Sequence, residues 1–241
     1  MIAAAIVMVV LMVPVILILV GHPPLHLSAV SLGASDVSAA QIRARAFRDL
    51  GFLSVSGAFA LVLFAQVGFI VHLIAFLDSV IGRERAAFAA ALMTAMAVFG
   101  RVAFSFVIDR LNQRVASALS FVSQALALLV VINSSNDAVL IAACAVFGFS
   151  VGNLITLPAL IVQREFDPRS FGVLISLITA INQITYAFGP GVIGLLRDLS
   201  GSYALPFYAC IGLQLMAAAL IMIRGKTSSL RASGSAQRAA R

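Results

Sequence analysis

Seven apolar runs, each long enough to cross a lipid bilayer, constrain this chain more than any other feature. They fall at about 2–20, 52–77, 86–108, 115–132, 138–162, 171–196 and 203–223. A helix rises about 1.5 Å per residue, so roughly twenty apolar residues match the hydrocarbon thickness. Backbone inside lipid must satisfy its own polar groups, which leaves helices or a closed barrel. Barrel strands alternate in character over about ten residues, and these runs do not. The chain is therefore expected to be an all-α polytopic membrane protein with about seven transmembrane helices. Its 62% hydrophobic and 10% charged residues agree, since a soluble domain carries roughly 25% charge.

The connections orient the runs. Gly21-His22-Pro23-Pro24 stops the first helix, because proline can neither continue a helix nor donate to it. The 21–50 linker then carries a short amphipathic stretch, Asp36 to Arg48, that reads as a surface helix capped by Ser35 or Asp36. Twelve Lys and Arg residues fall on one side of the predicted membrane and three on the other. Cytoplasmic loops hold the excess of positive charge, so the 21–50 linker and the C-terminus are expected in the cytoplasm, with the spans in a bacterial inner membrane. Residues 225–241, rich in Ser, Ala and Arg, are expected to be a disordered tail. Seven spans with the C-terminus inside would put Met1 outside without a charged flank, which suggests an N-terminally incomplete polypeptide.

Several function classes drop out. The net charge of +7 is scattered through loops rather than gathered in a basic stripe, so no nucleic-acid partner is expected. Cys144 and Cys210 lie within apolar runs without metal-ligand neighbours and read as buried thiols. No phosphate loop, metal spacing or nucleophile with a base appears, so neither an enzyme nor a cofactor is expected.

One charge lies inside a run. Arg101 precedes Asp109, the nearest marker of an aqueous end, by eight positions, which puts it about 12 Å into the hydrocarbon. A charge at that depth costs at least about 2.5–3.5 kcal/mol and marks a substrate path or a structural pair. Both readings stand at this stage.

Three stretches carry a family resemblance: Val71-His72-Leu73-Ile74 followed by Arg85-Ala86-Ala87; Gly100-Arg101 followed by Asp109-Arg110 and Arg114; and Gly189-Pro190-Gly191 followed by Gly194, Asp198, Gly201, Ser202 and Tyr203. In order and spacing they resemble the C-terminal half of a major facilitator superfamily transporter, with a monocarboxylate-porter or oxalate/formate-antiporter flavour. The resemblance implies that residues 1–20 stand for the sixth of twelve helices and that 51–224 form the C-terminal six-helix bundle. It also implies a gate in the loop motif Asp109, Arg110 and Arg114. The chain departs from the family pattern at Ser105 and Asn112, where glycines are usual. It departs again at Ala97, where proton-coupled monocarboxylate porters tend to carry an aspartate.

That architecture places substrate near the midplane between inverted repeats, here 52–132 and 138–223. It pairs the Arg101 helix with the 171–196 helix, on which Ser176, Thr179, Gln183 and Tyr186 share helical spacing with Asn182 beside them. Arg101, Thr179, Asn182, Gln183 and Tyr186 form the expected substrate site, although such polar residues also serve as helix–helix glue. His72 is a candidate protonation site and Gln66 a cavity candidate. Gly148, Gly152 and Pro158 suggest close packing and a bend, and Gly189-Pro190-Gly191 suggests a helix break in the outer half. A secondary transporter of a small organic anion, most plausibly a monocarboxylate, is expected, with the bilayer and a small-molecule substrate as partners. The alternatives are a truncated or split-gene half-transporter needing a separate N-terminal half, or an exporter of another small solute.

Overall fold

The computed structural model describes residues 39–223, apart from the side chain of Asp109. The predicted first span, the cap of the surface helix and the C-terminal tail lie outside the described residues. Among those described, every regular element is a helix: α1 Ala39–Ala46, α2 Leu50–Ile81, α3 Arg83–Ser105, α4 Gln113–Asn133, α5 Asp137–Val151, α6 Leu157–Glu165, α7 Phe171–Ser200 and α8 Ala204–Ile221, with single 3₁₀ turns at Ile108–Arg110 and Pro168–Ser170. Five of these, α2, α3, α4, α7 and α8, are long and apolar enough to cross a membrane.

Short polar caps and one glycine set the boundaries. Asp49 accepts the Phe52 amide at 3.0 Å, Asn112 the Arg114 amide at 3.1 Å, and Asn136 those of Ala138 and Val139. Each satisfies first-turn donors that have no intrahelical partner. Between α2 and α3 the chain reverses over Gly82 alone, at φ 79° and ψ 160°, a conformation essentially reserved for glycine.

Two spans differ from the sequence expectation. The run at 138–162 is not one helix: α5 ends at Val151, residues 152–156 form turns, and α6 starts at Leu157. Pro158, at the start of α6, has no N–H for the carbonyl one turn earlier and disfavours helical geometry at Leu157. The expected bend is thus a full interruption. At Gly189-Pro190-Gly191 the opposite correction holds, because α7 runs without a break from Phe171 to Ser200 with Pro190 inside it. The flanking glycines carry no Cβ, and Gly189 is seated against α2, so neighbouring backbone supports the helix where the proline weakens it.

Packing follows an inverted repeat. The main contacts pair α2 with α7, α3 with α5, α4 with α8, α2 with α8, and α4 with α5. Exchanging α2 for α5, α3 for α7 and α4 for α8 maps this set onto itself. Glycines make both of the first two crossings. A Cβ on Gly148 would lie 2.1 Å from the Met93 carbonyl oxygen, and one on Gly100 2.3 Å from that of Phe149. At the related crossing, a Cβ on Gly189 would lie 2.5 Å from the Phe64 oxygen and one on Gly68 2.6 Å from Ile193. In lipid there is little hydrophobic drive between helices, so such backbone approach supplies much of the attraction.

Buried apolar side chains form two clusters. One gathers Phe52, Phe59, Phe121, Leu157 and Ile221. The other centres on Phe69, whose ring meets Phe147 and Phe207 edge-on at 4.8 and 5.1 Å between centroids. Gln124 and Gln214 are fully buried, with no bond to either end of either carboxamide among the described residues.

Gly148→Ala is expected to destabilise the bundle by about 1–3 kcal/mol through overpacking, read as a lower unfolding midpoint in detergent. Gly191→Ala, where a Cβ meets open space, should leave the midpoint unchanged. Gln214→Leu should raise it, because an apolar residue of similar volume removes a buried, unpaired amide.

Candidate functional site: an arginine at a broken helix

α3 ends at Ser105, so Arg101 lies one turn from the end of its helix rather than the two implied by the predicted span to 108. It is about 10 Å along the axis from the helix centre. The residue before it, Gly100, touches the backbone of α5, and Arg101 emerges beside that crossing. Its Nε donates to the Gly152 carbonyl at 2.9 Å. That carbonyl is available because the interruption of α5 removes its usual amide donor: Thr156 N–H turns back to the Asn153 carbonyl at 3.3 Å instead. The side chain is exposed, and the two terminal amino groups of the guanidinium have no partner among the described residues. One edge of the fork is anchored and the other is open.

The exposed stripe of α3 through Arg101 also carries Thr94, Val98 and Ser105. Thr94 Oγ1 donates to the Ala90 carbonyl at 3.0 Å and Ser105 Oγ to that of Val102 at 2.7 Å. Both hydroxyl protons are spent within the helix, and their oxygens remain acceptors. The sequence reading did not single out Thr94, although its spacing of seven from Arg101 marks the same helix face.

The predicted seam on α7 divides. Ser176, Thr179 and Gln183 are exposed, and Tyr186 is half-buried. Asn182 faces the other way, 7% exposed, with no partner for its Oδ1. It is a residue of the bundle interior. α3 and α7 are the least enclosed long helices, with 17% of their most apolar stretch buried against 44% for α2 and α4. No hydrogen bond joins Arg101 to the α7 seam.

Gln66 and His72 lie on α2. Gln66 is buried with its Oε1 unpartnered. His72 Nε2 lies 3.1 Å from the Pro190 carbonyl. A carbonyl only accepts, so this nitrogen carries a proton. The Tyr203 ring lies 5.9 Å away. The bond echoes the one made by Arg101. His72 is four residues past Gly68, as Gly152 is past Gly148, and Pro190 follows Gly189 as Arg101 follows Gly100. Each glycine crossing is fastened by one side chain on one carbonyl.

Arg114 is a different kind of arginine. It is 1% exposed, and its guanidinium binds Glu165 bidentately, Nε to Oε1 and Nη2 to Oε2, both at 2.7 Å. Nη1 donates to Ser54 Oγ at 2.9 Å and to the carbonyls of Ile221 and Ile223 at 2.7 and 2.9 Å. Nη2 also reaches the Gly51 carbonyl at 3.2 Å. One side chain ties the starts of α2 and α4 to the ends of α6 and α8. Arg110, also from the predicted loop motif, is exposed. The sequence reading missed Glu165, the only acid between Asp137 and Asp167; an acidic residue at a basic loop was the available signal.

Comparison with known proteins bears on this arrangement. The family model described as Major Facilitator Superfamily matches residues 80–240, two thirds of the chain. A protein from Thauera aromatica named "Putative anionic 4-hydroxy-benzoate permease" is 31% identical over 93 residues, 38% of this chain and 57% of that protein. The match thus spans little more than half the length of that relative.

Removing Arg114 would strand the Glu165 carboxylate and three backbone carbonyls. Arg114→Ala is expected to cost about 3 kcal/mol or more, and Arg114→Lys to recover little, because an ammonium lacks the planar fork. Chemical unfolding in detergent checks both, and full stability of the lysine variant would contradict this account of the hub.

Proposed function

Because the chain belongs to the Major Facilitator Superfamily, we propose that it forms part of a secondary transporter for a small organic anion, a monocarboxylate, moved by alternating access. The observation that carries this reading is the open edge of Arg101, a permanent cation exposed on a membrane helix and bonded through Nε alone. A planar fork of N–H donors matches a carboxylate, and acceptors at Thr94 and Ser105 on the same stripe suit a hydroxyl elsewhere on the substrate. The relative named for 4-hydroxybenzoate is consistent with that chemistry and suggests an aromatic acid as the first substrate to try.

The exposed faces of α3 and α7 would line one side of the cavity, with Thr179, Gln183 and Tyr186 opposite or flanking the anion. The facing wall would come from helices outside residues 39–223. The Arg114 end, which carries the positive excess, would be cytoplasmic. Asp109, Arg110 and Arg114 would act there as a gate, and the membrane would be a bacterial inner membrane. Position 97 offers no acid for proton coupling, and its carbonyl lies at the α3–α5 crossing, 2.0 Å from where a Cβ on Gly152 would stand.

Uptake of labelled 4-hydroxybenzoate into proteoliposomes tests the reading. Arg101→Ala is expected to reduce uptake below saturation about 10- to 100-fold, the value of charge-assisted hydrogen bonds. Undiminished uptake in this variant would remove Arg101 from the site.

A further inference from the structure

We infer that Gly152 is the positioning residue of the anion site. Its carbonyl holds Nε of Arg101, so that a carboxylate is read end-on by Nη1 and Nη2. The inference rests on the anion reading above and narrows it to a geometry and a substrate class.

Three observations converge on Gly152. Its carbonyl is left without a helical amide donor by the turns at 152–156, and it accepts from Arg101 Nε at 2.9 Å. A guanidinium can meet a carboxylate along the Nε–Nη2 side or along the Nη1–Nη2 end. The Gly152 bond occupies Nε and leaves only the end. Finally, no other residue can supply that carbonyl at that distance. A Cβ at position 152 would lie 2.0 Å from the Ala97 oxygen and 3.0 Å from the Arg101 amide nitrogen. The obstacle is backbone on the helix that carries the arginine, so any side chain must push the turn away from α3 and pull the carbonyl off Nε.

A four-bond side chain otherwise loses rotamer freedom when it binds a ligand. Here the tether to Gly152 orders it beforehand. The arrangement also restricts charge. Arg101 is exposed, whereas the buried Arg114 is bonded on all three nitrogens, so the exposed stripe of α3 through Thr94, Val98, Arg101 and Ser105 offers one open fork for one carboxylate. A monocarboxylate with an uncharged remainder fits this stripe, whereas the second charge of a dicarboxylate would meet no cation on it.

Arginine-¹⁵N NMR of the chain in lipid nanodiscs tests this, with Arg101→Lys identifying the Arg101 signals by their loss. The Nε–H signal should exchange slowly and stay in place when 4-hydroxybenzoate is added, while the Nη signals shift. A Gly152→Ala variant should lose the Nε–H protection and bind the anion about tenfold more weakly, with benzoate-1,4-dicarboxylate no better a ligand for either form. An Nε signal that moves with the anion, or a folded Gly152→Ala of unchanged affinity, overturns the positioning role. Should that variant not fold, the wild-type spectra decide alone. Absence of any Nη response beside a protected Nε–H overturns the anion reading itself, a result distinct from failure of the Gly152 tether.

Discussion

Backbone-to-backbone contact at two glycine crossings is the constraint from which the rest of this bundle follows. Where Gly148, Gly152 and Gly100 let α5 lie against α3, and Gly68 and Gly189 let α2 lie against α7, a methyl group would stand 2.0–2.6 Å from a neighbour. Such proximity brings side chains on one helix within reach of carbonyls on the next. Each crossing is then locked by one bond, Arg101 to Gly152 and His72 to Pro190. Both carbonyls lie where a helix is perturbed, one at an interruption and one at an internal proline. In both places, helix irregularity and a polar tether occur together, as expected where nonhelical or strained backbone must be satisfied by neighbouring groups rather than by water.

Arg114 and Arg101 show how saturation separates structure from site. Arg114 has all its nitrogens engaged by a carboxylate, a hydroxyl and three carbonyls from α2, α6 and the end of α8. Such a group has nothing left to offer a ligand, and its chemistry is spent on joining helix ends. A gating role would require those bonds to break and reform as the helices move. Arg101 makes a single bond and keeps two amino groups in the open. Depth within an apolar run draws attention to a charge, but its remaining hydrogen-bond capacity decides what the charge can do.

Much of the architecture was legible in the sequence, because lipid permits few solutions. Apolar run length located five helices within a few residues, and the order of the three short motifs anticipated the family. What escaped depended on contacts between distant segments. The interruption after Val151 needs both Pro158 and the crossing at Gly152, whereas α7 keeps its helix through Pro190 because α2 supports it. Periodicity placed Asn182 beside an exposed seam, yet a difference of one residue turns a side chain by about 100° and carries it into the interior. Glu165 could not be matched to Arg114 without knowing that the start of α4 lies beside the end of α6. Arg101 itself was visible from charge and depth alone, but the carbonyl that tethers it was not.

The central claim is that a carboxylate binds the open end of Arg101 while Gly152 keeps the other edge. A cryo-electron microscopy map of the protein, held in nanodiscs with saturating 4-hydroxybenzoate, tests it most directly. The account predicts ligand density against Nη1 and Nη2, on the exposed stripe of α3 that carries Thr94 and Ser105, with Nε still in hydrogen-bond contact with the Gly152 carbonyl. Ligand density elsewhere in the bundle, with Arg101 bonded only to protein, would contradict it.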